Sequence, residues 1–211
     1  MSIECKDDGL NFQLGQIKGE RIKTDQKYQG VRVNAKAFLD SAIIHLQIDV
    51  GFGDIITPNV EELDFPTLLS LPSPRLLVYH KETVIAEKFH AMVLLGLTNT
   101  RMKDFYDVWI LTTTQEFQGK IILTAIKRTF EKRASVELTN QTPIALTEEF
   151  YNDSGKKAQW SSFLKRTKIN SNDSLAETIT ALRDFLMPVS KALVTKQAFD
   201  LVWYPQQGWK L

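Results

Sequence analysis

A single cysteine, Cys5, among 211 residues excludes an intrachain disulfide and any CxxC or Cys/His zinc spacing. No apolar run is long enough to span a bilayer. The opening Met-Ser-Ile-Glu-Cys-Lys-Asp-Asp lacks the basic-then-apolar order of a signal peptide. A soluble, unprocessed, cytoplasmic protein is therefore expected. Net charge is equally scarce: 26 Lys+Arg against 25 Asp+Glu leave only +1. That excludes recognition of nucleic acid by a global field and leaves the task to local clusters. Internal repeats and low-complexity tracts are also missing, which excludes a solenoid or a linker-like chain.

What is present is ordinary globular composition, 43% hydrophobic and 24% charged, enough for one domain or one domain plus a helical appendage. The first third is β-rich: residues 10–17, 20–23, 31–39 and 43–52 form short runs separated by Gly15, Gly19, Gly30 and Asp40-Ser41. In the last run Leu46, Ile48, Val50 and Phe52 alternate with His45, Gln47, Asp49 and Gly51. The spacing predicts one core face and one face carrying Asp49. Asp54, after Gly51-Phe52-Gly53, is expected in a turn. Pro58, Pro66, Pro72 and Pro74 then mark a connector without a long helix.

From residue 83 the period becomes helical, with helices expected over 83–95, 101–111 and about 120–133. Three more amphipathic stretches follow at 146–151, 159–168 and 175–194, the last interrupted by Pro188. The fold class expected is α+β, a sheet followed by a helical C-terminal half, divided at residues 1–80, 81–135 and 136–211.

In the first helix Val84, Ile85, Ala91, Met92 and Leu95 surround Lys88 at helical spacing, so Lys88 emerges from the apolar stripe. Such a lysine either snorkels to the rim or points its ammonium into a cleft against a carboxylate or phosphate. Glu87 and His90 fall on the more polar side and are expected to be solvated; His90 has no second His or Cys at ligand spacing. The second helix opens Arg101-Met102-Lys103-Asp104-Phe105-Tyr106-Asp107, which places Asp104 and Asp107 on one face with Arg101 one turn back. These acids either complement the helix dipole and pair locally with Arg101 and Lys103, or reach a divalent metal or a phosphate-bound lysine. Asp49 is either a solvated strand acid or a metal-side carboxylate. Lys127, Arg128, Lys132 and Arg133, and later Lys165, Arg166 and Lys168, either lie on solvated helix faces or form an RNA-facing stripe.

Read in order, Leu46-Gln-Ile-Asp49-Val-Gly-Phe-Gly-Asp54, Val84-Ile-Ala-Glu87-Lys88-Phe-His-Ala91 and Asn99-Thr-Arg101-Met-Lys103-Asp104-Phe-Tyr-Asp107 resemble the AbiEii/AbiGii nucleotidyltransferases. These are toxins of abortive-infection, phage-defence and type IV toxin–antitoxin systems. The match is strongest over residues 7–133. The resemblance implies a polymerase β-like sheet, Mg²⁺ and an NTP donor, and transfer of a nucleotide to an acceptor such as tRNA. It implies Lys88 as the triphosphate-side lysine, Asp104 as the acid beside it, Asp107 as a brace, Arg101 and Lys103 as supporting phosphate charge, and Asp49 as a metal ligand.

The family's Gly-Ser turn and Asp-x-Asp strand are expected upstream of Asp7-Asp8-Gly9-Leu10, where Asp7-Asp8 is no substitute. The chain is accordingly read as N-terminally truncated, with little transfer activity alone. A separately encoded N-terminal segment and a cognate antitoxin are expected partners. The alternatives are a non-catalytic remnant that binds antitoxin or RNA, and a carboxylate-metal phosphoesterase using Asp49, Asp104 and Asp107.

Overall fold

The computed structural model describes residues 9–22, 29–53, 55–70, 72–169 and 173–211. Cys5, Asp7, Asp8, Lys23 and Asp54 lie outside them. The chain divides into two units, Met1–Asp54 and Ile55–Leu211.

The first unit is an antiparallel sheet of β1 (Leu10–Phe12), β2 (Lys18–Arg21), β3 (Gln29–Leu39) and β4 (Ala42–Phe52). β4 runs along the full length of β3, and β1 and β2 share the other edge of β3. Asp40, with φ 49°, turns the β3–β4 hairpin in the left-handed region that Asp tolerates better than most residues. The register pairs Val31 with Val50, Val33 with Ile48 and Ala35 with Leu46 on one face, and Arg32 with Asp49 on the other. Period-2 alternation therefore sets the faces as expected.

The apolar face is not a core, however. Ile48 is 59% and Phe52 56% exposed, because this unit has no helix among its described residues to lie on the sheet. Among the described residues β4 has a strand partner on one side only.

The second unit opens with a hairpin of β5 (Glu61–Asp64) and β6 (Arg75–Val78), followed by α1 (Lys81–Leu95), α2 (Met102–Thr114), β7 (Phe117–Gln118) and α3 (Gly119–Arg133). α4 (Glu148–Asn152), α5 (Ser154–Thr167), α6 (Leu175–Val194), β8 (Val202–Tyr204) and β9 (Gly208–Lys210) complete it. One core unites the helices: Ile85, Phe89, Phe105, Ile126, Phe150 and Leu182 are fully buried within it. Each buried phenylalanine contributes about 2–3 kcal/mol of apolar burial.

α6 starts at a capping box in which the Ser174 hydroxyl accepts from the Glu177 N–H and the Glu177 carboxylate accepts from the Ser174 N–H. It runs unbroken past Pro188, contrary to the expected interruption. Phe185, Leu186 and Val189 around that proline are fully buried, and their packing offsets the backbone hydrogen bond that proline cannot make.

β7, β8 and β9 form a small sheet whose Trp203 and Trp209 donate to the carbonyls of Thr112 and Phe185 at 2.7 and 3.0 Å. At Gly119 a Cβ would stand 2.6 Å from the Leu201 carbonyl oxygen, so only glycine allows this sheet to meet α3. No described helix is long and apolar enough to cross a membrane.

Candidate active site

α1 ends where Gly96 takes a φ of 50°; a Cβ there would approach Ile144 to 2.9 Å. The chain then enters α2 through Asn99, which is fully buried. The Asn99 side-chain oxygen accepts from the Arg101 N–H at 2.9 Å, an Asx turn that fixes the start of the helix. Its backbone carbonyl accepts from the Lys156 Nζ at 2.9 Å. Lys156 comes from the first turn of α5, is buried, and places its ammonium 5.3 Å from the Phe150 ring centroid.

α2 buries Met102, Phe105, Val108 and Thr112, a stripe that leaves Asp104 and Asp107 together on its flank. Facing them, Lys88 of α1 donates to Asp104 Oδ1 at 2.6 Å and to Asp107 Oδ2 at 2.8 Å. The three side chains are 18%, 16% and 24% exposed. Lys103 also reaches Asp107 Oδ2, at 2.5 Å. Lys88 thus turns its ammonium onto the two carboxylates of α2 and does not snorkel to the rim.

Burial alone would lower the Lys88 pKa, but the hydrogen bonds and charges of Asp104 and Asp107 outweigh it and raise the value. An ammonium carries three donors. Two are engaged here, and the third has no partner among the described residues.

Asp49 belongs to the sheet unit, where Arg32 grips it in a fork: Nε to Oδ1 at 2.7 Å and Nη2 to Oδ2 at 2.8 Å. The Arg32 hydrogen bond holds the Asp49 carboxyl below its ordinary pKa. Among the described residues no group of three or more His, Cys, Asp or Glu side chains is placed to hold a metal ion. The described carboxylates do not by themselves make a Mg²⁺ site.

Glu87 and His90 are not solvated. Arg133 of α3 donates to Glu87, and His90, almost fully buried, lies edge-on to Phe130 and 3.0 Å from the Ser135 hydroxyl. α1 is covered on these sides by α3 and the segment after it, which the period of one helix could not reveal. Burial first, and the Arg133 charge second, push the His90 pKa down to about 4.

The family model described as nucleotidyl transferase AbiEii toxin, type IV TA system, matches residues 3–192, which include Asp49, Lys88, Asp104, Asp107 and Lys156. The chain belongs to the AbiEii family. No curated protein and no solved structure matches it. AbiEii membership makes it a component of the nucleotidyl transferase toxin class and implies an antitoxin partner. In this AbiEii chain the Lys88–Asp104–Asp107 contact joins two motifs separated in sequence. Arg32 and Lys156, which touch those motifs or their frame, are not singled out by sequence reasoning, and Asn99 enters there only as the first residue of a motif. Arg32 could have been found from strand register opposite Asp49, whereas nothing in the sequence marks Lys156.

Proposed function

We propose that the chain is a nucleotidyltransferase of the AbiEii family that moves a nucleotide from an NTP to an acceptor, with tRNA the acceptor class that the resemblance implies. The observation that carries this reading is the Lys88 ammonium, oriented by Asp104 and Asp107 with one donor left. Phosphoryl-type transfer needs little covalent help and mainly preorganised positive charge. Asp104 and Asp107 keep Lys88 protonated and aimed, Lys88 meets the donor's phosphate oxygens, and Arg101 and Lys103 add charge beside them.

Mg²⁺ is the cofactor this reading requires, with Asp49 as one ligand once released from Arg32 and further carboxylates from a segment bearing the family's Gly-Ser turn and Asp-x-Asp strand. The side of β4 that has no strand partner among the described residues and its exposed apolar face support that segment as an added strand. The grip of Arg32 on Asp49 favours a second reading, a non-catalytic module that binds antitoxin or RNA.

Labelled NTPs, Mg²⁺ and total tRNA separate the two. The isolated chain is expected to label little. Its complex with the upstream segment of a full-length relative is expected to label tRNA, with a loss on the order of 10²- to 10³-fold in Lys88→Ala or Asp104→Asn. Labelling that is indifferent to Lys88→Ala overturns the catalytic reading, as does absence of labelling in a stable complex, which leaves the binding module as the surviving reading.

A further inference from the structure

We propose that the groove between the start of α2 and α5 binds the sugar–phosphate backbone of a single-stranded RNA, presenting it beside Lys88 and Asp104; as the acceptor's site this rests on the transferase reading above. The groove, of about 550 Å³, is lined by Arg101, Lys103 and Asp104 from α2 and by Gln159, Ser162 and Arg166 from α5. Its one carboxylate among these, Asp104, is already bonded to Lys88. Arg101 and Arg166 form no ion pair among the described residues, so two guanidinium forks face the groove uncommitted. Their planar geometry suits phosphate oxygens.

A second observation extends the surface beyond a mononucleotide. Besides the buried Lys156, α5 carries Lys157, Lys165 and Arg166 at its exposed surface and no acidic residue, and Lys168 follows at its end, in a protein whose net charge is only +1. None of these cations pairs with a carboxylate among the described residues. The rival basic helix, α3, has three of its four stripe cations engaged: Lys127 reaches Glu131 at 3.9 Å, Arg133 is bonded to Glu87, and Arg128 donates to the Thr57 hydroxyl at 3.4 Å, which leaves Lys132 alone without a partner among the described residues. Of the two basic stripes in the sequence, α5 is therefore the one with more charge to offer a polyanion. An acidic protein fits less well, because the apolar lining residues Met102 and Phe163 are buried and leave no hydrophobic anchor.

The test is fluorescence anisotropy of a labelled single-stranded RNA of about 12 nucleotides, titrated with the chain over a range of salt. Arg166→Ala and Arg101→Ala are each expected to weaken binding roughly three- to tenfold and to reduce the slope of log K against log salt by about 0.7 for each phosphate no longer neutralised. Arg166→Glu should weaken it further, and Lys127→Ala with Lys132→Ala should leave it unchanged. Arg166 is exposed, and unchanged circular dichroism separates weaker RNA binding from unfolding.

The proposal is overturned if wild type does not bind the RNA, if Arg166→Ala binds as wild type does, if the α3 variant is weakened as much, or if polyglutamate competes as well as RNA. RNA bound through Arg166, with no nucleotide transfer even by the complex used in the labelling assay, refutes the transferase reading and leaves the groove standing. Transfer with no effect of Arg166→Ala on RNA binding does the reverse.

Discussion

Replacing Lys88 by methionine keeps most of the apolar stem and removes the ammonium, leaving Asp104 and Asp107 one helical turn apart with no cation between them but Lys103, which is 70% exposed. Breaking a fully buried ion pair by deleting one partner costs about 3–5 kcal/mol. Here the carboxylates are 16% and 24% exposed, and water recovers part of the loss, so about 2 kcal/mol is expected. For a unit of this size that corresponds to a fall in Tm of about 4–8 °C.

All four tryptophans, Trp109, Trp160, Trp203 and Trp209, lie in the unit Ile55–Leu211, so intrinsic fluorescence follows the melting of the unit that holds the Lys88 cluster. The decisive comparison is the double variant Lys88→Met/Asp104→Asn. Removing one of the stranded charges should restore stability, making the double variant more stable than Lys88→Met alone. A Tm of Lys88→Met within about 1 °C of wild type, or a double variant in which the two destabilisations simply add, refutes the view that Lys88 holds the two acids together.

The raised Lys88 pKa means that its stabilisation is complete below the ordinary lysine value of 10.5 and is lost as pH rises through the higher folded value. An alkaline fluorescence titration should therefore show an unfolding limb above 10.5 that is absent in Lys88→Met. His90 has the opposite sense: its pKa falls from 6.5 to about 4, so stability declines as pH drops through that window, and His90→Gln should flatten the decline in urea melts recorded between those values. Arg32→Ala should move the Asp49 carboxyl up toward its ordinary value of 3.8 in a carbon-detected NMR titration, while leaving the tryptophan melt unchanged. Ser174→Ala removes the α6 capping box and should cost about 1 kcal/mol in denaturant unfolding.

Much of the fold is legible because long elements have strong periods. β3 and β4 alternate over 11 residues each, and α1, α2 and α3 begin within two residues of the positions expected. The hairpins β5–β6 and β8–β9 are not, since strands of three or four residues carry too few alternations to stand out from their flanks. Pro188 misleads for the reverse reason: a local rule is overridden by burial that only the assembled core supplies.

At the site, the one-turn spacing of Asp104 and Asp107 and the awkward placement of Lys88 announce a meeting of two helices, and those side chains do meet. The mistake at His90 and Glu87 comes from judging a helix by one packing face when neighbours cover it on several. The placement of Lys156 depends on a hydrogen bond across 57 residues, with no pattern at either end of that span to announce it.

That long-range hydrogen bond gives the C-terminal half a hold on the motif helix. The Asn99 carbonyl is clasped by a lysine that arrives from α5, so the entry to α2 is braced from outside the segment that bears the motifs. Lys156→Met would change no residue of either motif, yet it would leave the buried Asn99 carbonyl without its donor and the first turn of α2 free to drift. The ammonium at this one place then has to be kept, or replaced by another donor that reaches the same oxygen.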